Sequence, residues 1–318
     1  MNCQVILASR PTGVAQASNF EIRHAADPVL ADGHLRVANR FLSVEPAMRG
    51  WIADAGNYSA PVGIGEVMRS LAVGEVVTGW FGWQERSAIE VSAVVRRVTE
   101  TDLPLSLALG VLGINGVTAH LALTMIGDPQ PGETVLVSTA AGAVGSAVGQ
   151  IANILGCRAV GIAGGPAKTE QCLSLFGYAD AVDYKAPDLG DALDRACPAG
   201  IDVYFDNTAG VISDTVYPRL TLGARVVICG TASIPAWDPW PQGPRIERHL
   251  LLKRARAQGF VIFDHQDRYA ASVAQLATWV RSGELRYAED ILEGIEECPD
   301  ALAGLYRGEN QGKRVIRL

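Results

Sequence analysis

The spacing of apolar and polar positions changes character along this chain. Residues 1 to about 105 carry short alternating runs, such as Val91-Ser92-Ala93-Val94-Val95, separated by glycine and proline. That pattern predicts half-buried strands and tight turns in a barrel or sandwich. Two short helices are expected over Leu105–Gly110 and Val117–Met125, broken at Gly113-Ile114-Asn115-Gly116. Beyond the turn Asp128-Pro129-Gln130-Pro131-Gly132 the period alternates regularly. Apolar, β-branched runs at Val135–Val137, Ala159–Ala163, Ala181–Asp183, Ile201–Asp206, Val226–Cys229 and Phe260–Phe263 read as buried strands. Between them lie helical spacings: Val144, Val148, Ile151 and Leu155, then Ala167–Phe176 and Asp188–Ala196. Tyr269–Arg281 follows as a helix closed by Gly283, and the tail ends in a strand after Gly312.

Six strands alternating with helices predict an α/β, doubly wound parallel sheet. A single terminal strand is not stable alone, so the tail is expected to pair back into the first, mostly β domain. The division expected is 1–110 with 288–318 for that domain and 111–287 for the inserted sheet. Between the first strand and first helix lies Ala140-x-Gly142-x-x-Gly145. This is a dinucleotide fingerprint with alanine in the first glycine's place: small residues let backbone approach a pyrophosphate, which the helix's orphan N–H groups receive. An NAD site usually carries Asp or Glu at the end of the second strand. Here the chain reads Ile162-Ala163-Gly164-Gly165-Pro166-Ala167-Lys168, with a lysine and no carboxylate. A lysine in a helix's first turn is unfavourable unless an anion neutralises it, so NADPH is the expected cofactor; the alternative is a surface lysine.

The totals narrow the classes. The chain has 318 residues, 48% hydrophobic, and a formal net charge of −7, which disfavours a nucleic-acid partner. The basic cluster Lys253-Arg254-Ala255-Arg256 reads as a solvated helix face. No apolar run reaches the ~20 residues of a membrane span, and no secretion signal is visible. Six cysteines without a CxxC pair suggest a reducing, cytoplasmic setting.

Longer motifs carry a resemblance. Leu42–Gly50, Asn57–Val62, Gly113–Ala119, Ala140–Gly149, Tyr204–Asn207, Ile228–Gly230 and Gly308-Glu309-Asn310-x-Gly312-Lys313 together are similar to the zinc-independent medium-chain dehydrogenases/reductases, in the prostaglandin reductase, alkenal/one oxidoreductase and curcumin reductase group. The resemblance implies a Rossmann NADPH domain inserted in a GroES-like domain, and no zinc. The Gly-His-Glu motif of the family's zinc alcohol dehydrogenases is missing. It implies that Ala141, Gly142, Ala143, Val144 and Gly145 hold the pyrophosphate, and Gly164, Lys168 and Tyr184 the adenosine end. Asn207, Cys229, Gly230, Thr231, Phe260, Val261 and Ile262 would line the nicotinamide, with Asn310 closing the cleft. Cys229 has no adjoining base and reads as a packing residue.

The implied reaction is hydride addition to the β-carbon of an enone or enal, with the enolate oxygen taking a hydrogen bond. Tyr58 is either a pocket hydroxyl or a packing tyrosine. Relatives read Pro-Tyr-Met-Arg where this chain has Pro46-Ala47-Met48-Arg49, so Ala47 and Met48 would line a wider pocket. Trp237 and Trp240 either form a lid or pin a proline-rich loop. A segment between Met68 and Trp80 looks shorter than in relatives. Alternatives are a quinone reductase and a non-catalytic NADPH-binding protein. A homodimer through the last sheet strand, taken as Phe260–Phe263, follows by analogy.

Overall fold

A computed structural model describes residues 1–54, 58–234 and 239–318. The chain separates into two compact units, Met1–Gly110 with Glu289–Leu318, and Val111–Ala288.

The first unit opens with β1 (Asn2–Leu7), β2 (Phe20–Ala25), β3 (His34–Ala38) and β4 (Phe41–Ser43), then the short helix α1 (Met48–Ile52). It continues with β5 (Leu71–Val73), β6 (Val77–Trp80), β7 (Arg86–Glu90) and β8 (Val94–Arg97). The stretch between Met68 and Trp80 thus holds one complete hairpin, β5 antiparallel to β6 with Leu71 opposite Trp80. The core gathers Trp51, Met68, Phe81 and Trp83, each almost fully buried, and Trp83 Nε1 donates to the Ser43 carbonyl at 3.0 Å.

The second unit begins with α2 (Ile114–Ala122). Gly113–Gly116, expected as a break, instead starts this helix. A Cβ on Gly116 would stand 1.8 Å from the Val111 carbonyl oxygen, so the glycine marks close packing, not a helix end. β9 (Thr134–Ser138), α3 (Ala143–Ile154), β10 (Arg158–Ala163), α4 (Pro166–Ser174), β11 (Asp180–Asp183), α5 (Leu189–Ala196), β12 (Ile201–Asp206), α6 (Gly210–Val216) and β13 (Leu220–Ile228) follow in alternation. α7 (Glu247–Lys253), β14 (Arg256–Gly259) and α8 (Tyr269–Ser282) complete the unit. Among the described residues the sheet has six parallel strands in the order β11-β10-β9-β12-β13-β14. The order reverses between β9 and β12, the switch point at which open α/β sheets bind ligands beyond their carboxyl ends.

Two expectations are corrected here. The sixth strand is Arg256–Gly259, registered on Arg225–Ile228, and Phe260–Phe263 lies beyond it, with a 3-10 helix from Ile262. Phe260 and Ile262 are apolar because they are buried, 7% and 8% exposed, whereas an edge strand facing solvent is polar. The basic run is likewise no helix face: α7 stops at Lys253, Arg254 adopts a left-handed φ of 48°, and Arg256 opens β14.

The tail re-enters the first unit. β15 (Glu289–Glu293) lies parallel to β16 (Lys313–Arg317), and α9 (Cys298–Arg307) joins them. β16 pairs antiparallel with β4, Val315 opposite Ser43, so the six-stranded sheet of this unit runs β15-β16-β4-β5-β6-β8. Among the described residues no helix is long and apolar enough to cross a membrane.

α2 and α8 meet at His120, whose Nδ1 lies 2.8 Å from Ser272 Oγ and whose ring sits edge-on to Trp279. Burial holds this imidazole below its ordinary value of 6.5. Between that lowered value and 6.5 the unfolded chain binds a proton that the folded chain resists, so stability falls as pH drops through this window. Thermal melts at about pH 7.5 and 5.5 are expected to show a larger loss of Tm in the wild type than in His120→Gln; equal losses would remove His120 from the acid response.

Candidate active site

The turn from β9 into α3 is sterically forced. Thr139 takes a positive φ of 55°, Gly142 occupies the N-cap position of α3, and the Gly142 N–H donates to the Thr139 carbonyl at 2.9 Å. A Cβ on Gly145 would lie 2.2 Å from that same oxygen and 2.9 Å from the Ala140 Cα. These are backbone atoms and cannot yield. Ala140 and Ala141 are buried. The fingerprint residues Ala141–Gly145 therefore bring the first N–H groups of a twelve-residue helix to the carboxyl end of the central strand, a cradle suited to a pyrophosphate.

The neighbouring loop gathers Gly164, Lys168 and Tyr184. Tyr184, 43% exposed, presses its ring on Gly164, where a Cβ would come within 2.8 Å of it. Lys168 sits in the first turn of α4, which starts with Pro166 after Gly165 at φ 89°. Its charge reaches the buried Cys172 thiol, which burial pushes up to about 12 while the lysine pulls the other way. One carboxylate does belong to this loop, although the sequence of β10 shows none. Asp183, at the end of β11, accepts the Gly165 and Lys185 N–H groups on Oδ1 at 2.8 and 2.9 Å. It arrives from the adjacent strand, out of sight of a local reading.

Across the switch point, Asn207 donates from Nδ2 to the Ser138 carbonyl at 2.7 Å, and its N–H reaches Ser138 Oγ at 2.8 Å. Its amide thus ties the ends of β9 and β12 together. Cys229 and Gly230 donate their N–H groups to the Asp206 carbonyl at 2.8 and 3.1 Å. The Cys229 thiol is pushed up to about 12, first by burial and then by the negative charge of Asp206, in keeping with an inert packing role. Thr231 follows in the same loop, half-buried. Phe260 stacks on His265 with centroids 4.9 Å apart, and Val261 and Ile262 follow it at the end of β14.

The first unit holds the remaining candidates. Met48 is fully buried in that unit's core, and Ala47 packs half-buried against it; Met48 is a core residue here. Tyr58 is 55% exposed. Tyr306 was invisible to sequence reasoning: its hydroxyl donates to the Pro46 carbonyl, and the Arg49 guanidinium lies 5.0 Å above its ring. Burial pushes its phenol up to about 12. Asn310 is buried and donates from Nδ2 to the Gly312 carbonyl at 2.8 Å. Trp240 is 72% exposed, while Trp237 lies outside the described residues. Among the described residues, no group of three His, Cys, Asp or Glu side chains is placed to hold a metal ion.

A doubly wound sheet with a glycine-bearing strand-to-helix turn, inserted in the sequence of a mostly β unit, defines a dinucleotide-binding class of protein. Family models agree: residues 3–90 match the N-terminal domain of oxidoreductase and residues 143–279 a zinc-binding dehydrogenase domain. The chain belongs to the zinc-independent group of medium-chain dehydrogenases/reductases. It is 40% identical to the putative NADP-dependent oxidoreductase YfmJ of Bacillus subtilis, over 99% of this chain and 97% of that one. It is 36% identical to the NADPH-dependent curcumin reductase of Escherichia coli, over 100% of this chain and 97% of the relative. The crystal structure of CurA from Vibrio vulnificus in complex with NADPH superposes with a TM-score of 0.92 at 37% identity, covering 99% and 98% of the two chains.

Proposed function

We propose that this protein reduces the carbon–carbon double bond of α,β-unsaturated ketones or aldehydes with NADPH. The observation that carries the reading is the adenosine-end cluster: Lys168 in the first turn of α4, beside the Gly164–Tyr184 contact, in a chain alignable end to end with an NADPH-dependent curcumin reductase. NADPH, when bound, supplies the hydride. The chain's own residues do the rest. The N–H groups following Gly142 receive the pyrophosphate and Lys168 the 2′-phosphate, with Tyr184 against the adenosine. Asn207, Cys229–Thr231 and Phe260–Ile262 shape the nicotinamide end. In the first unit, Tyr58 offers a hydroxyl to the developing enolate oxygen, which stabilises charge that appears as the hydride is transferred, and the α-carbon then takes its proton from solvent; Ala47 and Asn310 of the same unit are its proposed companions. The inserted unit is thereby the cofactor domain and the mostly β unit the substrate domain.

We propose a homodimer as well, formed through the edge strand β14. That strand ends the sheet, and the preceding helix exposes Leu251 and Leu252 at 75% and 53%. An exposed edge is a ready template for pairing with a second copy. A cytoplasmic setting fits the six free thiols, five of them buried.

Mixing the protein with NADPH and an aliphatic or aromatic enone is expected to deplete the reduced cofactor and yield the saturated ketone, identified by mass. Turnover of quinones alone, or cofactor binding without turnover, would overturn the reading. Lys168→Ala is expected to weaken NADPH about ten- to a hundredfold and NADH little, as loss of a charge-assisted contact predicts. Equal weakening would take Lys168 out of the phosphate site. Sedimentation velocity is expected to show a dimer that Gly259→Pro converts to monomer, because the Gly259 N–H alternates with the Phe260 N–H that bonds β13 and so faces outward, and proline cannot donate to a ladder. A monomeric wild type would refute the edge pairing.

A further inference from the structure

The segment that follows β12 is built on one carboxylate. Asp206 is 3% exposed. Its Oδ1 accepts the N–H groups of Thr208 and Ala209 at 2.9 and 2.8 Å, the Tyr204 hydroxyl at 3.0 Å, the Thr208 hydroxyl at 3.2 Å and, at the long limit, the Ser138 hydroxyl at 3.4 Å. Its Oδ2 accepts the Ser213 hydroxyl at 2.6 Å. The backbone carbonyl of the same residue accepts the Cys229 and Gly230 amides. One residue therefore fixes the turn into α6, including Ala209 at a positive φ of 56°, and the turn leaving β13.

All of these donors are neutral. Among the described residues no lysine, arginine or histidine pairs with Asp206. Hydrogen bonds of this kind hold an anion without cancelling its charge. The charge is felt by its neighbours: after burial, it is the next cause that raises the Cys229 and Tyr217 groups to about 12, and it also raises Asp214. Its place in the fold is decisive. Asp206 is the last residue of β12 and touches Ser138, the last residue of β9, so the charge lies at the switch point itself.

We propose that Asp206 is the positioning residue of the nicotinamide end, holding Asn207–Gly210 and Cys229–Thr231 in place while its uncancelled charge biases the site toward the oxidised, cationic cofactor. The proposal rests on the NADPH reading above. A reduced nicotinamide is neutral and an oxidised one carries a positive charge. A buried anion nearby therefore favours NADP+ relative to NADPH, and it stabilises the charge left behind as a hydride departs with its two electrons.

Asp206→Asn separates the charge from the scaffold. The amide oxygen can keep accepting the Thr208 and Ala209 N–H groups while the amide nitrogen donates to Ser213 Oγ. Binding of NADP+ and of NADPH is measured by titration calorimetry for the wild type and each variant. In Asp206→Asn, NADP+ is expected to weaken about tenfold more than NADPH, the order of one charge acting through a partly screened interior. Asp214→Lys brings a cation toward the same carboxylate from a half-exposed position, and is expected to move the ratio the same way by roughly two- to threefold. A merely structural role would weaken both forms alike. An unchanged ratio in whichever variant folds overturns the proposal alone, with the nucleotide reading intact. A wild type that binds neither form overturns the nucleotide reading and the proposal with it.

Discussion

Everything at the carboxyl end of the large sheet depends on how closely α3 can lie on β9. Gly145 leaves no room for even one methyl group against the Thr139 carbonyl. One turn further on, a Cβ at Gly149 would come within 2.1 Å of the Tyr178 ring. Tyr178 fills that space and donates from its hydroxyl to the Gly145 carbonyl at 2.6 Å. Gly161 of β10 completes the fit, since a Cβ there would stand 2.8 Å from the Ala140 Cβ. The helix is thus clamped from both sides, and its N-terminus has one direction available. Overpacking at such contacts costs typically about 1–3 kcal/mol, which explains why glycine stands at positions 145 and 149 of α3, where a helix interior otherwise disfavours it, and at 161 in the facing strand.

The other unit is closed by a buried ion pair rather than by apolar packing alone. Lys313 Nζ donates to Glu45 Oε1 at 2.7 Å, to Ser43 Oγ at 2.6 Å and to the Val44 carbonyl at 3.0 Å. Burial pulls this ammonium below its ordinary range, and Glu45 opposes that pull. Removing one member of such a pair strands the other, which costs about 3–5 kcal/mol. The contact joins residues far apart in sequence, 268 positions in the case of Glu45, and sits where β16 pairs with β4. Arg314 adds a bond to Asp290 at 2.8 Å. The return of the tail is fixed by charge as well as by the strand ladder.

How much of this was legible beforehand follows from where the information lies. The β9–α3 turn and the alternation of strand and helix announce themselves through local period and small residues, and the tail's return through a lone strand's need for a partner. The edge strand does not: Arg256-Ala257-Gln258-Gly259 is polar because one side faces solvent, and the apolar run after it owes its character to burial beyond the strand. β15 is hidden because Glu289, Asp290 and Glu293 leave it no clean period, whereas α9 does carry a helical apolar face in Cys298, Ala301, Leu302 and Leu305 and is readable from its spacing. Asp183, Asp206, Tyr178 and Tyr306 escaped for a shared reason. Each acts through partners brought by a different strand or helix, and a carboxylate at a strand end looks the same in sequence whether it is solvated or serves as a hub.

Those two carboxylates show how a symmetric-looking sheet edge acquires direction. Asp183 and Asp206 both end strands and both accept backbone amides. Asp183 is half-exposed, and solvent can screen it; Lys168 stands in the first turn of α4, the helix whose Gly165 N-cap amide Asp183 holds. Asp206 is buried, so its field is weakly screened and reaches the Cys229 loop. An extended ligand laid across this edge meets cation and helix N-terminus on one side of the switch point and a buried anion on the other. A dinucleotide has matching polarity: phosphates along its length and at the adenosine, and a ring that becomes positive at the far end. The wrong way round, phosphate would face Asp206 and the ring would face Lys168. In the cofactor site proposed above, orientation is then decided by two side chains on neighbouring halves of the sheet, with the hydrogen bonds around Asp206 holding its half in place.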